Sequence, residues 1–439
     1  MEKVAILGAG ITGLFLAHKL SNKFSVTLIE KEKQIGGMSG SFKHKNFFLD
    51  YGPHKIYTEL SGIIPEIENL VELDRIKKIN SIYLENYYFN FPLSLPQLLT
   101  KIPIKGFQAG IDIIFNLISK KPNINYENFL INNFGNTLYS LVFKKYAKKI
   151  WANPKSLDID LAKKRVAVSN IFELIKSVIL KENKKISAEY FFYPKISISE
   201  LIYSLEEKIK KNKGKILLNK KIKKIETGKK IKIKINNKTT SFDYLVSTIP
   251  LSDLSEYLDN DELIENSKKL RYKDTNIFYF IIKKQRVLRE NWIFFPDLDI
   301  PFHRIAEQKS FSNKSCPENE TCLMVESTLD KEKQEEITDK LIELNFFKKE
   351  EIKEVFSKKL EKAYPLYFID YQNYLKNILS YFDNLENIYL LGRHGLFNYN
   401  NMDQCIDMSL KLSDHLINNK TKKQWKETRK LFDKYRIVD

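Results

Sequence analysis

Val4-Ala5-Ile6-Leu7-Gly8-Ala9-Gly10-Ile11-Thr12-Gly13 is the stretch that decides the fold of this 439-residue chain. Its four leading apolar residues have the character of a buried parallel strand, and residues 14–20 continue with helical apolar spacing. Residues 24–29 read as a second strand that ends on Glu30. Strand, GxGxxG, helix, strand and acid follow in the order of a dinucleotide-binding βαβ unit. Gly8 permits the tight turn, Gly10 lets backbone N–H groups approach a pyrophosphate, and Gly13 lets helix and strand pack closely. The helix N-terminus favours the phosphate charge. Glu30 stands where a carboxylate binds both ribose hydroxyls and repels a 2′-phosphate, which disfavours NADP. A secretory signal peptide is the competing reading. It fails because three glycines break the apolar stretch and folded-domain signals follow.

Just behind Glu30 comes a second glycine-rich turn, Gly36-Gly37-Met38-Ser39-Gly40-Ser41. It points to backbone passing near the same ligand again, which a larger cofactor such as FAD requires. Gly52-Pro53 then forces a bend that puts His54 on a constrained loop. Residues 82–92 read as a hairpin ending at Pro92, and residues 95–180 as largely helical. Within them, residues 102–118 are apolar but carry Lys105, Gln108, Asp112 and Asn116, so they are expected as a buried or surface-docked helix rather than a membrane span. A helix is expected over 198–210, with strands over 215–219, 222–226, 231–235 and 243–250 that fit a return to the nucleotide domain. Strands over 275–282, 292–295 and 321–326 follow, then polar helices over 329–363. Ile388-Tyr389-Leu390-Leu391-Gly392-Arg393 again leads a strand through glycine, and Asn401-Met402-Asp403 caps a helix to about residue 418. The tail over 420–436 reads as a charged helix with a solvated face.

Composition narrows the classes. The chain is too long for one ordinary core. Its 43% hydrophobic residues supply a globular interior. The net charge of +18 comes from lysines spread along the chain, with no nucleic-acid motif beside them, so no specific nucleic-acid partner is expected. Cys316, Cys322 and Cys405 form neither a disulfide framework nor a CxxC zinc site, and a reduced, cytoplasmic setting is the default expectation with no metal. No apolar run reaches the roughly 18–20 residues of a transmembrane helix.

Four further stretches extend the likeness to a known group. They are Gly52-Pro53-His54 with Tyr57-Thr58, Lys145-Tyr146 through Lys149 and Trp151, PFHRIAEQKSF (301–311), and GRHGLFNYNNMD (392–403). The chain resembles the FAD-binding superfamily of amine oxidases, protoporphyrinogen oxidases and carotenoid desaturases, and within it UDP-galactopyranose mutase and its oxidoreductase-like relatives. The resemblance implies an α/β fold: a Rossmann-like (GR2-type) FAD-binding domain with an inserted helical lobe and an antiparallel-sheet substrate lobe. The implied division is FAD-binding over 1–80, 198–255 and 376–418, mainly helical over 81–197, antiparallel sheet over 256–375, and a charged C-terminal helix over 419–439. Gly8, Gly10, Gly13, Glu30, Gly36 and Gly37 would hold the adenosine and pyrophosphate of FAD, and Gly392, Arg393, Met402 and Asp403 its ribityl and flavin end. His54 would lie beside the ring, and Arg304, Tyr364, Arg393 and Tyr399 match positions at the substrate diphosphate or the flavin. Guanidinium groups suit a diphosphate because they bind its oxygens in charge-assisted forks.

Two departures stand out. Ser169 occupies the place of a second mutase arginine, four residues after Arg165, and Lys195-Ile196-Ser197 follows Pro194 where the family has a glycine pair. The first weakens the case for a nucleotide-sugar diphosphate, and the second suggests altered backbone near the flavin. Two enzyme readings follow. One is a mutase-like flavoenzyme acting on a nucleotide-linked sugar or similar small anionic substrate. The other is an oxidoreductase passing hydride from substrate to flavin. A non-catalytic flavin-bound protein is a third class, and a homo-oligomer is compatible with all of them.

Overall fold

The computed structural model describes residues 1–118, 122–165 and 189–437. Its nucleotide-binding part is a parallel sheet in the order Ile388–Leu390, Tyr244–Ser247, Lys3–Leu7, Ser25–Ile29, Lys215–Leu217. Val4, Ala5, Ile6 and Leu7 are wholly buried, as a central strand covered on both faces must be. Helices Ile11–Leu20 and Met402–Ile417 pack together on this sheet, and Ser409 Oγ donates to the Thr12 carbonyl at 2.9 Å. Residues from the start and the end of the chain therefore meet at one edge of the nucleotide site.

A second, seven-stranded sheet runs in the order Ile352–Pro365, Tyr272–Ile282, Thr321–Ser327, Arg304–Glu307, Trp292–Phe294, Asn80–Leu84, Tyr87–Asn90. All its neighbours are antiparallel except Trp292–Phe294 beside Asn80–Leu84. Helices Leu95–Lys101, Pro103–Ile118, Tyr126–Leu138, Lys144–Ile150 and Ile159–Arg165 supply the helical part. The expected three-part α/β architecture is present.

Two expectations need correction. The segment expected as polar helix over 329–363 holds helix Gln334–Glu343 but then a fourteen-residue strand, Ile352–Pro365, paired along Tyr272–Ile282. Its Lys- and Glu-rich sequence favours helix locally, and pairing with a long buried strand overrides that preference. Strands Ile222–Glu226, Ile231–Ile235 and Lys238–Phe242 form a three-stranded antiparallel sheet of their own. The tail is not simply a solvated helix. After helix Lys422–Lys430 the chain turns inward, and Trp425, Phe432 and Ile437 are buried.

Candidate active site and cofactor cradle

The glycines of the opening motif divide by what a side chain would meet. A Cβ on Gly13 would lie 2.0 Å from the Gly8 carbonyl oxygen, so Gly13 is required by packing between helix and strand. Gly8 has φ +96, and its N–H donates to the Ile29 carbonyl at 2.9 Å. Around Gly10, by contrast, a Cβ would meet nothing within 4 Å. That open space lies at the N-terminus of helix Ile11–Leu20, where N–H groups attract an anion. Gly36 and Gly37, both at positive φ, close on the same point: Gly36 N donates to the Ala9 carbonyl at 2.8 Å, and Gly37 approaches the Gly10 Cα. Gly392, at φ +80, presses against Thr12 of the same helix.

Glu30 is fixed by backbone donors, Ala9 N to Oε2 at 2.7 Å and Glu32 N to Oε1 at 2.9 Å. Its carboxylate is thereby oriented at the turn, and its remaining lone pairs suit ribose hydroxyls. A second helix N-terminus, at Met402, is closed by a capping box in which Asn401 N donates to Gln404 Oε1 at 3.0 Å. Asp403 in its first turn is pushed up to about 6 by burial, against a hydrogen bond from Thr58. The open glycine cradle, the anchored ribose acid and the returning Gly36-Gly37 turn fit FAD.

The substrate end is a cluster of guanidinium and aromatic groups. Tyr364 and Tyr399 stack at 5.7 Å between centroids with planes 9° apart. Over the Tyr399 ring lie the guanidinium carbons of Arg393 at 5.1 Å and Arg165 at 5.4 Å. Trp151 stands edge-on to Tyr399 at 6.4 Å and to Tyr146 at 6.3 Å. Arg304 lies near Tyr364 and Tyr146, and His54 lies near Glu326, Arg304 and Arg393. The structure thus brings together all five residues expected at the reacting end: His54, Arg304, Tyr364, Arg393 and Tyr399.

Hydrogen bonds limit what two of them offer. Arg304 spends its fork on Glu326, with Nε to Oε1 at 2.7 Å and Nη2 to Oε2 at 2.9 Å. Burial alone would raise the Glu326 carboxyl, but Arg304 and His303 hold it down at about 2, so it stays ionised. Arg393 donates Nε and Nη2 to the Asn400 carbonyl at 3.0 and 2.6 Å and Nη1 to the Ala363 carbonyl at 3.1 Å. These carbonyls orient it, and among the described residues no carboxylate pairs with it. Burial pushes His54 down to about 4, with Glu326 opposing and both arginines adding to the effect, so the ring is neutral near pH 7.

Sequence reasoning passed over Glu326 and Arg165 as site residues. Glu326 carried a signal, because a carboxylate inside the apolar run Cys322-Leu323-Met324-Val325 must find a cation when buried. Arg165 ends the exposed-looking run Lys163-Lys164-Arg165, and its one signal was the resemblance, in which a second mutase arginine is expected four residues after it. Lys145 and Lys149, part of the family-like stretch, serve as scaffold. Lys145 pairs with Asp297 at 2.6 Å, and Lys149 caps the carbonyls of Phe295, Asp297 and Phe302. Ser169 lies outside the described residues.

Comparison with known proteins agrees with this geometry. Residues 6–64 match an NAD(P)-binding Rossmann-like domain, and residues 127–380, more than half the chain, match the model for flavin containing amine oxidoreductases. UDP-galactopyranose mutase of Mycoplasma genitalium is 29% identical over 164 residues, 34% of this chain and 40% of that one. The mutase of Mycoplasma pneumoniae is 27% identical over 163 residues, with the same shares covered. These matches span less than half the length of either curated relative. A crystal structure of reduced UDP-galactopyranose mutase superposes with a TM-score of 0.83 at 21% identity over 95% of this chain and 94% of that one. A putative protoporphyrinogen oxidase from Exiguobacterium superposes with a TM-score of 0.74 at 15% identity, over 94% of this chain and 98% of that one. At such identities the superpositions speak for the fold alone.

Proposed function

The chain belongs to the flavin-containing amine oxidoreductases and is a FAD-dependent enzyme, and from that premise we propose that it is a mutase-like flavoenzyme acting on a nucleotide-linked sugar or similar anionic substrate. The observation that carries this reading is the pair of guanidinium groups, Arg165 and Arg393, that both lie over the Tyr399 ring. Arg304, held by Glu326, adds a third guanidinium near Tyr364. Such a site draws in a diphosphate and orients it by charge-assisted hydrogen bonds. Bound FAD supplies a flavin N5 that is nucleophilic when reduced and accepts hydride when oxidised.

The protein groups have separate tasks. Tyr364, whose hydroxyl burial keeps protonated, donates a hydrogen bond without adding charge. His54, neutral near pH 7, donates or accepts beside the ring. Trp151 and Tyr146 wall the cleft and keep water from the reacting groups. Positioning of this kind accounts for rate without an acid–base pair.

One observation favours the second reading, hydride transfer from substrate to flavin. The Arg304 fork is closed on Glu326, so that arginine has less to give a diphosphate than the resemblance implies. An absorption spectrum of the holoprotein, titrated with UDP-sugars in oxidised and dithionite-reduced forms, separates the two. Interconversion of UDP-galactose ring forms only after reduction supports the mutase-like reading. Bleaching of the flavin band by a substrate, with no UDP-sugar response in either form, replaces it with the oxidoreductase.

A further inference from the structure

His303 and Arg304 are neighbours in sequence, yet both reach the same carboxylate. Successive residues of a strand point to opposite faces, but His303 stands just before strand Arg304–Glu307 and escapes that alternation. Its backbone is fixed at both ends: its N–H donates to the Glu326 carbonyl, and its own carbonyl accepts the Phe295 N–H, each at 2.9 Å. The ring turns Nε2 toward Glu326 Oε2 at 3.5 Å. Nδ1 is shielded from solvent and meets no hydrogen-bond partner. A hydrogen on Nδ1 would be a buried donor with nothing to receive it, whereas a hydrogen on Nε2 points at a carboxylate. The neutral ring therefore carries its hydrogen on Nε2. Burial pushes the His303 pKa below its ordinary value, with Arg304 and Lys149 adding to the effect and Glu326 opposing it, so the ring is neutral near pH 7.

Glu326 is thus held from three sides. Arg304 takes both of its oxygens in a fork, His303 adds a donor at Oε2, and the Gly52 turn packs over Oε1, where a Cβ would lie 3.6 Å away. A glutamate's last torsion is soft, so a lone carboxylate holds a fork in a range of planes, and a second donor at one oxygen narrows that range. The three side chains differ in what they show to the outside. Those of His303 and Glu326 are 2% and 3% exposed, whereas that of Arg304 is 24% exposed. The fork uses Nε and Nη2, and Nη1 makes no hydrogen bond among the described residues. An incoming ligand therefore meets a guanidinium by its Nη1 edge, aimed by a carboxylate that is itself shut away. We propose that His303 is a positioning residue: acting through Glu326, it fixes the angle at which Arg304 presents Nη1 to an anionic oxygen of the substrate. The inference rests on the reading of the substrate as an anion, not on which flavin reaction follows.

Inorganic pyrophosphate is the probe, titrated by calorimetry into the full-length holoprotein. His303→Leu supplies an apolar side chain of similar size without a donor, and His303→Gln keeps a donor for Glu326. His303→Leu should bind pyrophosphate about tenfold more weakly, the loss of one hydrogen bond to a charged group, with its flavin spectrum unchanged. His303→Gln should recover most of that loss. Equal binding by the wild type and His303→Leu overturns the proposal and leaves the anionic-substrate reading standing. Equal weakening by both variants also overturns it, because packing alone then accounts for His303. A wild type that does not bind pyrophosphate removes the anionic-substrate reading and the proposal with it. Nitrogen NMR of the histidine-labelled wild type tests the same geometry in the intact site. The resonances absent from His303→Gln should show hydrogen on Nε2 and none on Nδ1 near pH 7, and the opposite tautomer overturns the proposal.

Discussion

Lys164 Nζ donates to Asn398 Oδ1 at 2.7 Å in a buried position, and the next residue on each side is a member of the substrate cluster, Arg165 and Tyr399. The C-terminal segment closes over this bond. Ile437 N donates to the Lys164 carbonyl at 2.9 Å, and Asn398 Nδ2 donates to the Phe432 carbonyl at 3.1 Å. Gln404 Nε2 reaches the Arg436 carbonyl at 2.6 Å, which ties the same segment to the helix that carries Asp403. The tail thus braces both ends of the site. Asn398→Ala leaves the buried Lys164 ammonium with only its longer bond to the Asp433 carbonyl, at 3.4 Å, and is expected to cost about 1.5–3 kcal/mol, read as a lower Tm. It should also raise KM more than it lowers kcat while FAD stays bound, because Tyr399 and Arg165 lose their common support.

Gly10 and Gly13 stand three residues apart and should fail in different ways. Gly13→Ala puts a methyl group 2.0 Å from the Gly8 carbonyl and should prevent folding, seen as loss of soluble protein. Gly10→Ala meets nothing in the protein itself, so the chain should fold. The added methyl enters the space read as the pyrophosphate cradle. FAD affinity should fall by about tenfold or more, the equivalent of about 1.4 kcal/mol, measured by fluorescence titration of the apoprotein. An unchanged affinity would separate this space from the cofactor.

The βαβ unit was legible from sequence because glycine spacing and apolar periodicity act locally. The helix at Asn401 was legible for the same reason, since a capping box is written in four consecutive residues. Strand Ile352–Pro365 was not, because what holds it is pairing with a strand some eighty residues earlier in the chain. The Arg304–Glu326 fork belongs to the same class. Arg304 and Glu326 are register partners on adjacent strands, a relation visible only once the sheet is assembled. His54, Arg304, Tyr364, Arg393 and Tyr399 could be grouped through resemblance, but their hydrogen bonds, which decide what each can offer, required the fold.

Breaking that fork on one side should be costly. Glu326→Gln leaves the half-buried Arg304 guanidinium without its counter-charge, an effect of about 1.5–3 kcal/mol, measured by urea denaturation. Replacing both partners, as Arg304→Met with Glu326→Leu, removes the stranded charge and should restore much of the stability without restoring activity. A double-mutant cycle would show coupling well above the roughly 0.5 kcal/mol expected of independent sites.

Acid should destabilise the protein through its histidines. Burial pushes His54, His394 and His415 each down to about 4, whereas an unfolded histidine takes its proton near pH 6.5. Between those values the unfolded chain holds protons that the native chain refuses, so native stability falls as pH drops through about 6.5 to 4. Two carboxyls oppose this. Burial pushes Asp50 up to about 7 and Asp403 up to about 6, so the native chain keeps protons that the unfolded chain has already released. Their contribution therefore falls as pH rises through the same range and stays low above it. Three histidines against two carboxyls leave a net loss on acidification. Burial raises Asp50 although Ser41 and Tyr193 donate to its two carboxyl oxygens at 2.6 Å and resist the shift, and Asp50→Asn removes its contribution against the histidines. Its unfolding free energy should fall more steeply than the wild type's between pH 7 and 5, by up to about 1.4 kcal/mol per pH unit, measured by urea denaturation. A parallel slope for the two proteins would mean that Asp50 is ionised in the native state.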